Sequence, residues 1–296
     1  MARNEEFCGK NAAPLLNPFT WSLRRREMFE RCPREYFLHY YGSVGGAFLK
    51  TGSRQAELLH LLRSMCSVPE YVKQLLYRIV RSFFYSGSLE PEGFKSILEE
   101  QFSREFRDML LGRAEQDHKV PFLRELTRPG FSPQALKAEI LAELRREAGL
   151  WEEKALKQLL RIELEKRLEV SFPLKVCWSE LDTYCTVVAA WFDGGRFNAL
   201  CTGGPSEENS ALLNFYALNQ FECDPGHVAI WHLENGQMYE APRQLSFSAA
   251  FRRIRKDVDA MLVLEKRSGG VDAKFFPQEF CHCGQCRFSI VCSQLG

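Results

Sequence analysis

Cys281-His282-Cys283-Gly284-Gln285-Cys286-Arg287-Phe288-Ser289-Ile290-Val291-Cys292 lies near the end of the 296-residue chain and holds four cysteines and one histidine. Cys283, Cys286 and Cys292 read C-x2-C-x5-C. A short C-x2-C loop turns two thiolates toward one centre, and three such ligands need a fourth. The expected fourth is Cys32, in Phe29-Glu30-Arg31-Cys32-Pro33-Arg34-Glu35-Tyr36-Phe37, with Cys281 and Cys8 in reserve. A centre held by Cys32, Cys283, Cys286 and Cys292 staples the two ends of the chain together. Everything between them is then the body of one domain, residues 1–296. The spacing suits a [4Fe–4S] cluster or zinc, and His282 leaves a mixed Cys/His zinc site open. Cys66, Cys177, Cys185, Cys201 and Cys223 read as ordinary core or surface residues.

Composition narrows the remaining possibilities. Hydrophobic residues at 45% and charged residues at 26% are those of a globular protein with ample core material. The net charge of +1 carries no bulk signature of a nucleic-acid binder, so such a surface must be a local patch. Two basic groups are candidates: Arg24, Arg25 and Arg26 with Arg31 and Arg34, and Arg252, Arg253, Arg255 and Lys256. A solvated helix face explains either group equally well. No apolar segment follows Met1 and no apolar run is long enough to span a bilayer, so the expected setting is cytoplasmic, without a membrane. Eleven cysteines in that setting point to thiols and metal ligation rather than disulfides. No P-loop, Gly-x-Ser-x-Gly or His-Glu-x-x-His motif is present.

The periodicity divides the chain into a helical part, residues 20–170, and an α/β core, residues 171–270, followed by the cysteine segment 271–296. A helix is expected from Thr20, capped by Thr20 or Ser22 and broken or restarted at Pro33. Further helices are expected over residues 53–65, 69–86 and 91–112, and a long one over 133–168 with apolar residues recurring at three and four. Leu174–Trp178, Tyr184–Phe192 and Phe197–Cys201 read as strands, Glu207–Phe221 as a helix, and Val228–Leu233 with Gln237–Glu240 as a hairpin across Asn235-Gly236. Leu245–Arg267 is the last long helix. The fold class is α/β, with a large helical half placed before a mixed sheet.

Ser22–Gly42, with its Cys32-Pro33 followed by aromatics, resembles the opening of the RecB- and AddB-like PD-(D/E)XK nucleases. Leu212-Leu213-Asn214-Phe215-Tyr216-Ala217-Leu218 is similar to that family's Gln-Leu-x-x-Tyr-Ala-Leu helix. The terminal C-x2-C-x5-C is similar to the cysteines that, with one upstream, hold a [4Fe–4S] cluster in AddB-like members. The resemblance implies a PD-(D/E)XK mixed-sheet core flanked by helices, and an iron–sulfur centre on Cys32, Cys283, Cys286 and Cys292. It also implies where catalysis should lie. The family's acid and lysine, in Asp-Trp-Lys-Thr-Gly, fall on Ala199 and Cys201, with Thr202-Gly203 kept as the turn. No acid stands within Cys185–Val188, where the first is expected, and Tyr77 takes the place of the family's histidine on an early helix. The family's glutamine position falls on Ala211, with Gln220 lying after the helix motif.

An alanine cannot ligate Mg²⁺ or Mn²⁺, and a cysteine cannot supply a lysine's fixed charge. The expectation is therefore a catalytically inactive nuclease-like protein with a Cys-ligated [4Fe–4S] cluster. It would bind DNA or act as a scaffold in DNA processing, with DNA and a helicase or other DNA-processing protein as partners. One alternative is an active metal-dependent exonuclease or endonuclease with ligands displaced to Glu180, Asp182, Asp193 or Glu207. The other is a zinc or iron–sulfur regulatory module.

Overall fold

Pro33 has no N–H to give to a helix, so it ends one helix or opens another. Both happen here. In the computed structural model, which describes residues 19–42, 54–86, 93–111, 121–127, 129–234, 237–241, 246–268, 276–279, 283–284 and 286–293, a two-residue strand β1 (Trp21–Ser22) leads into α1 (Leu23–Arg31). Then α2 (Pro33–Tyr40) restarts with Pro33 in its first turn. Next come α3 (Arg54–Ser64), β2 (Met65–Cys66), α4 (Val68–Ser86), α5 (Phe94–Leu110), β3 (Phe122–Leu123) and α6 (Pro133–Leu150). A π-helical turn at Trp151–Ala155 joins α6 to α7 (Leu156–Leu160). The strand-rich part follows: β4 (Leu174–Trp178), β5 (Leu181–Cys185), β6 (Val187–Asp193), β7 (Arg196–Cys201), α8 (Glu207–Phe221), β8 (Val228–Glu234) and β9 (Gln237–Glu240). The chain closes with α9 (Phe247–Ser268) and α10 (Ser289–Cys292). The architecture is mixed α/β.

The chain divides into two compact units. The first gathers Met1–Phe19, Arg24–Arg63 and Arg255–Gly296, and the second Thr20–Leu23 and Ser64–Ile254. In the second, α4 buries Tyr71, Val72, Leu75, Leu76, Val80 and Phe83 at spacings of one, three and four. These side chains join Phe94 and Phe102 of α5, Ile140 and Leu144 of α6, and Leu159 of α7 in one apolar cluster. That cluster reaches Val188, Ala189 and Leu200 on the sheet. Ser132 caps α6, its side chain accepting from the Ala135 amide at 3.3 Å.

The main sheet has the order β6-β7-β8-β9. The β6–β7 and β8–β9 pairs are antiparallel, while β7 and β8 are parallel and joined through α8. Parallel neighbours need such a crossover, and α8 provides it. A three-stranded sheet, β1-β5-β4, sits beside it in the sequence. The stretch Tyr184–Phe192, expected as one strand, is two strands in two sheets, parted at Thr186, with a register shift between Val187 and Ala189. The long helix expected to Leu168 ends at Leu160 because residues 167–168 pair with the sheet. The Leu168 amide donates to the Ala190 oxygen at 2.8 Å, and Arg167 bridges to Trp191. The Asn235-Gly236 turn lies outside the described residues.

Candidate functional site

Cys32 occupies the break between α1 and α2. Its amide closes α1 on the Met28 oxygen at 3.0 Å, and its own oxygen takes the Tyr36 amide at 3.0 Å to open α2. Its backbone is extended, and its Sγ is the helix cap, accepting the Glu35 N–H at 3.5 Å. The Cys-Pro pair thus aims one buried sulfur out of a helix start.

At the other end of the chain, Cys283, Cys286 and Cys292 stand at multiples of three. The backbone between them winds accordingly: the Cys286 amide donates to the Cys283 oxygen, and the Ser289 amide to the Cys286 oxygen, each at 3.2 Å. Bonds of this i→i+3 type bring every third side chain to one side. Cys292 then sits on α10, its amide on the Phe288 oxygen at 2.8 Å.

All four cysteines belong to the first unit, near enough for their charges to influence one another. Burial pushes the Cys286 thiol up to about 11, and neighbouring Glu35, Cys32 and Cys292 add to it. Burial also raises Cys292, opposed by Arg34 and reinforced by Cys32 and Cys283. Three of the four sulfurs face nitrogen donors. The Glu35 amide points at Cys32, the Gln278 Nε2 donates to Cys283 Sγ at 3.2 Å, and Arg34 bonds Cys292. Arg31 lies close by, its guanidinium proton held more tightly by Glu35, Cys286 and Cys32 despite burial. Donors and cations of this kind suit thiolate ligands, whose charge they offset. No three His, Cys, Asp or Glu side chains among the described residues converge closely enough to hold a single metal ion. Cys8, Cys281 and His282 lie outside the described residues.

Sequence reasoning missed Arg34. It stood as a phosphate contact, yet it is 7% exposed. Its Nε donates to the Phe276 oxygen at 3.0 Å, its Nη1 to Gln278 Oε1 at 3.1 Å, and its amide to the Pro277 oxygen at 3.1 Å. The N-terminal helices and the C-terminal segment are therefore also tied by one arginine. Its place directly after Cys32-Pro33 was the available signal. Arg25 is likewise buried, stacked 4.0 Å from the Tyr40 ring centre, and Arg26 pairs with Glu30 at 3.1 Å. Of the first basic group, Arg24 and Arg31 remain on the surface.

The positions expected for hydrolytic chemistry lie on the sheet of the second unit. Val187 pairs with Cys201, and Ala190 with Ala199. Side chains alternate along β7, so Phe197, Ala199 and Cys201 share one face. That face meets α8: Phe197 lies 6.0 Å from Tyr216 and 5.7 Å from Phe221 by ring centres. Leu200 turns to the other face and joins the helical cluster, where Tyr77 packs edge-on against Trp151 at 5.8 Å. Ala199 and Cys201 are thus brought together, and Tyr77 is not brought to them.

This face is dry. Cys185, Val187, Ala199 and Cys201 are all at most 3% exposed. Burial pushes the Cys201 thiol up to about 12 and Cys185 further, with Cys201 adding to the latter. Cys185 Sγ faces Asn209 Oδ1 at 3.8 Å. His232, beside Cys201 in the parallel register, donates from Nδ1 to the Gly203 oxygen at 2.8 Å and is kept neutral by burial. Thr202-Gly203 does form a turn, with Gly203 at φ +82°, where a side chain would be strained. Neutral thiols and an alanine give a hard divalent cation no oxygen ligand.

The acids considered as displaced ligands are engaged elsewhere or set in turns. Asp182 pairs with Lys175 at 2.7 Å and Asp193 with Lys166 at 3.2 Å. Arg253 holds Glu207 together with buried Glu208 at the start of α8. Glu180 sits at φ +66° in the β4–β5 turn. Asp193 and Val187 are at opposite ends of β6, about 20 Å apart at strand rise. No protein-family model matches the chain, and no curated protein matches it. No helix among the described residues is long and apolar enough to cross a membrane.

Proposed function

We propose that this chain is a catalytically inactive PD-(D/E)XK nuclease-like protein, in which Cys32, Cys283, Cys286 and Cys292 hold a [4Fe–4S] cluster and the fold binds DNA or scaffolds a DNA-processing assembly. The observation that carries the reading is that four thiols from the two ends of the chain share one compact unit and influence one another electrostatically, three of them facing nitrogen donors. In a cubane cluster each cysteine binds a different iron, so its sulfurs need not converge on one point as zinc ligands must. The cluster supplies a rigid, four-pointed link. Arg31 and Arg34 offset its charge, Gln278 orients Cys283, and the α2 cap presents Cys32.

The antiparallel β6–β7 pair, the α8 crossover and the parallel β8 strand support the nuclease-like part of the reading. The buried, uncharged face around Ala199 and Cys201 supports inactivity. The test is anaerobic purification of the wild type and Cys32→Ser, with iron and acid-labile sulfide analysis, followed by incubation with labelled DNA and Mg²⁺ or Mn²⁺. About four irons per chain, a lower content in C32S and no cleavage are expected. Colourless protein with one zinc would replace the cluster by a Cys/His site. Cleavage abolished by Asp182→Asn or Glu207→Gln would establish the displaced-ligand enzyme instead.

A further inference from the structure

Gln278 stands between a fixed cation and a sulfur. Three contacts hold the segment that carries it. The Phe276 ring packs on Phe37 of α2 at 4.6 Å between ring centres, the Phe276 oxygen accepts from Arg34 Nε at 3.0 Å, and the Pro277 oxygen accepts from the Arg34 amide at 3.1 Å. One residue further on, both ends of the Gln278 side-chain amide are engaged. Its Oε1 accepts from Arg34 Nη1 at 3.1 Å, and its Nε2 donates to Cys283 Sγ at 3.2 Å. Arg34 and Phe276 are buried, while Gln278 and Cys283 are half-buried. All of these residues belong to the first unit.

The direction of that amide follows from donor and acceptor chemistry. A guanidinium has five donors and no acceptor, so only the carbonyl end of Gln278 can face Arg34. The NH2 end is thereby turned to the sulfur. The reverse orientation would set donor against donor and a carbonyl oxygen against sulfur. A ligating cysteine has given up its proton and can only accept, so it gains from the donor. Hydrogen bonds to the sulfurs are among the levers that set the reduction potential of an iron–sulfur centre. One-electron reduction adds negative charge that the sulfurs share, so a donor there favours the reduced form. We propose that Gln278, its amide direction fixed by Arg34, is a positioning residue that raises the reduction potential of the cysteine centre. The electron comes from an external one-electron reductant, and no protein bond is made or broken. The inference rests on the cluster reading above and deepens it: the centre is a tuned redox site as well as a link between the chain ends.

The test is an anaerobic redox titration of the holoprotein, full chain, with dithionite and dye mediators, followed by visible absorbance and electron paramagnetic resonance. Iron content and circular dichroism are measured alongside. It compares the wild type, Gln278→Glu, Gln278→Met and, as a control on α5, Arg104→Gln. Q278E keeps the size of the side chain and an acceptor for Arg34, so the tie between α2 and residues 276–278 stands, but it sets a carboxylate oxygen where the donor was. Q278M removes donor and acceptor together. Both variants should move the midpoint to more negative potential, Q278E further than Q278M, with about four irons per chain retained. R104Q should match the wild type. A purely structural role gives a different pattern, because Q278E preserves the tie: its midpoint would stay at the wild-type value and only Q278M would lose stability. Should Q278M not fold, Q278E alone decides. A wild-type midpoint in iron-loaded Q278E overturns the proposal and leaves the cluster reading standing. Loss of iron from both variants also overturns it, since Gln278 would then govern assembly rather than potential, and so does a wild-type centre that dithionite does not reduce. A wild type that holds no iron or sulfide overturns the cluster reading itself and this inference with it.

Discussion

His39 shows how a single buried side chain sets a pH dependence. The folded protein refuses it a proton down to about pH 2, first through burial and then through Arg63, Arg24, Arg287 and Arg25. In the unfolded chain it titrates near the ordinary value of 6.5. Below that pH the unfolded state binds a proton that the folded state does not. Stability from this residue is therefore full above about pH 6.5 and lost as pH falls, by at most about 1.4 kcal/mol per pH unit. Glu265 acts in the opposite sense. Burial raises its carboxyl, with Tyr41, Tyr36 and Arg25 pulling it back, so its contribution is present at low pH and lost as pH rises through that raised value. The clean measurement is a difference. Urea unfolding of wild type and His39→Asn at pH 6.5 and 4.5 should show the wild type losing roughly 2–3 kcal/mol more than the variant. A gap that does not change with pH would mean that His39 is not the titrating group.

Among the elements, α2 carries the most consequence for its length. Pro33 starts it, Cys32 caps it, and Arg34 ties it to residues 276–278 through three bonds. Arg34→Met keeps the apolar stem but leaves the Phe276 oxygen without that donor and Gln278 without its restraint, and it removes the cation beside Cys292. It should cost about 2–4 kcal/mol in thermal or urea unfolding of the metal-free protein, where no cluster can compensate. Arg104→Met, on an exposed pair with Glu100, should cost less than about 1 kcal/mol. Equal losses in the two variants would show that Arg34 is no special tie. The contrast also marks what the sequence made legible. Pro33 and the spacing of the apolar residues of α4 are local signals, and their elements stand within a few residues of expectation. The split of Tyr184–Phe192 and the end of the long helix at Leu160 are set by pairing with distant strands, which no local pattern encodes. At the candidate centre, the C-x2-C-x5-C spacing was readable because it is a local pattern. Arg34 was not, because an arginine reads as solvated until its partners more than 200 residues away are seen.

At the scale of the whole molecule, the proposed cysteine centre would link position 32 to position 283, across roughly 250 residues. Closing a loop of that length removes about 5 kcal/mol of chain entropy from the unfolded state in the simplest model. That stabilisation need not be shared evenly. All four cysteines belong to the first unit, whereas the large apolar cluster of α4 to α7 belongs to the second. Loss of the cluster should therefore loosen the first unit selectively, because local opening follows local stabilisation. Hydrogen exchange on the full chain, before and after iron is removed by chelator under reducing conditions, reads this directly. Amides of α1, α2 and α10 should lose protection, while those of α4, α6 and β6 to β8 keep theirs. Cys32→Ser should reproduce the pattern without the chelator. Uniform loss across both units would make the centre a global folding determinant rather than a clasp, and unchanged protection in α2 and α10 would remove it from the structural account altogether.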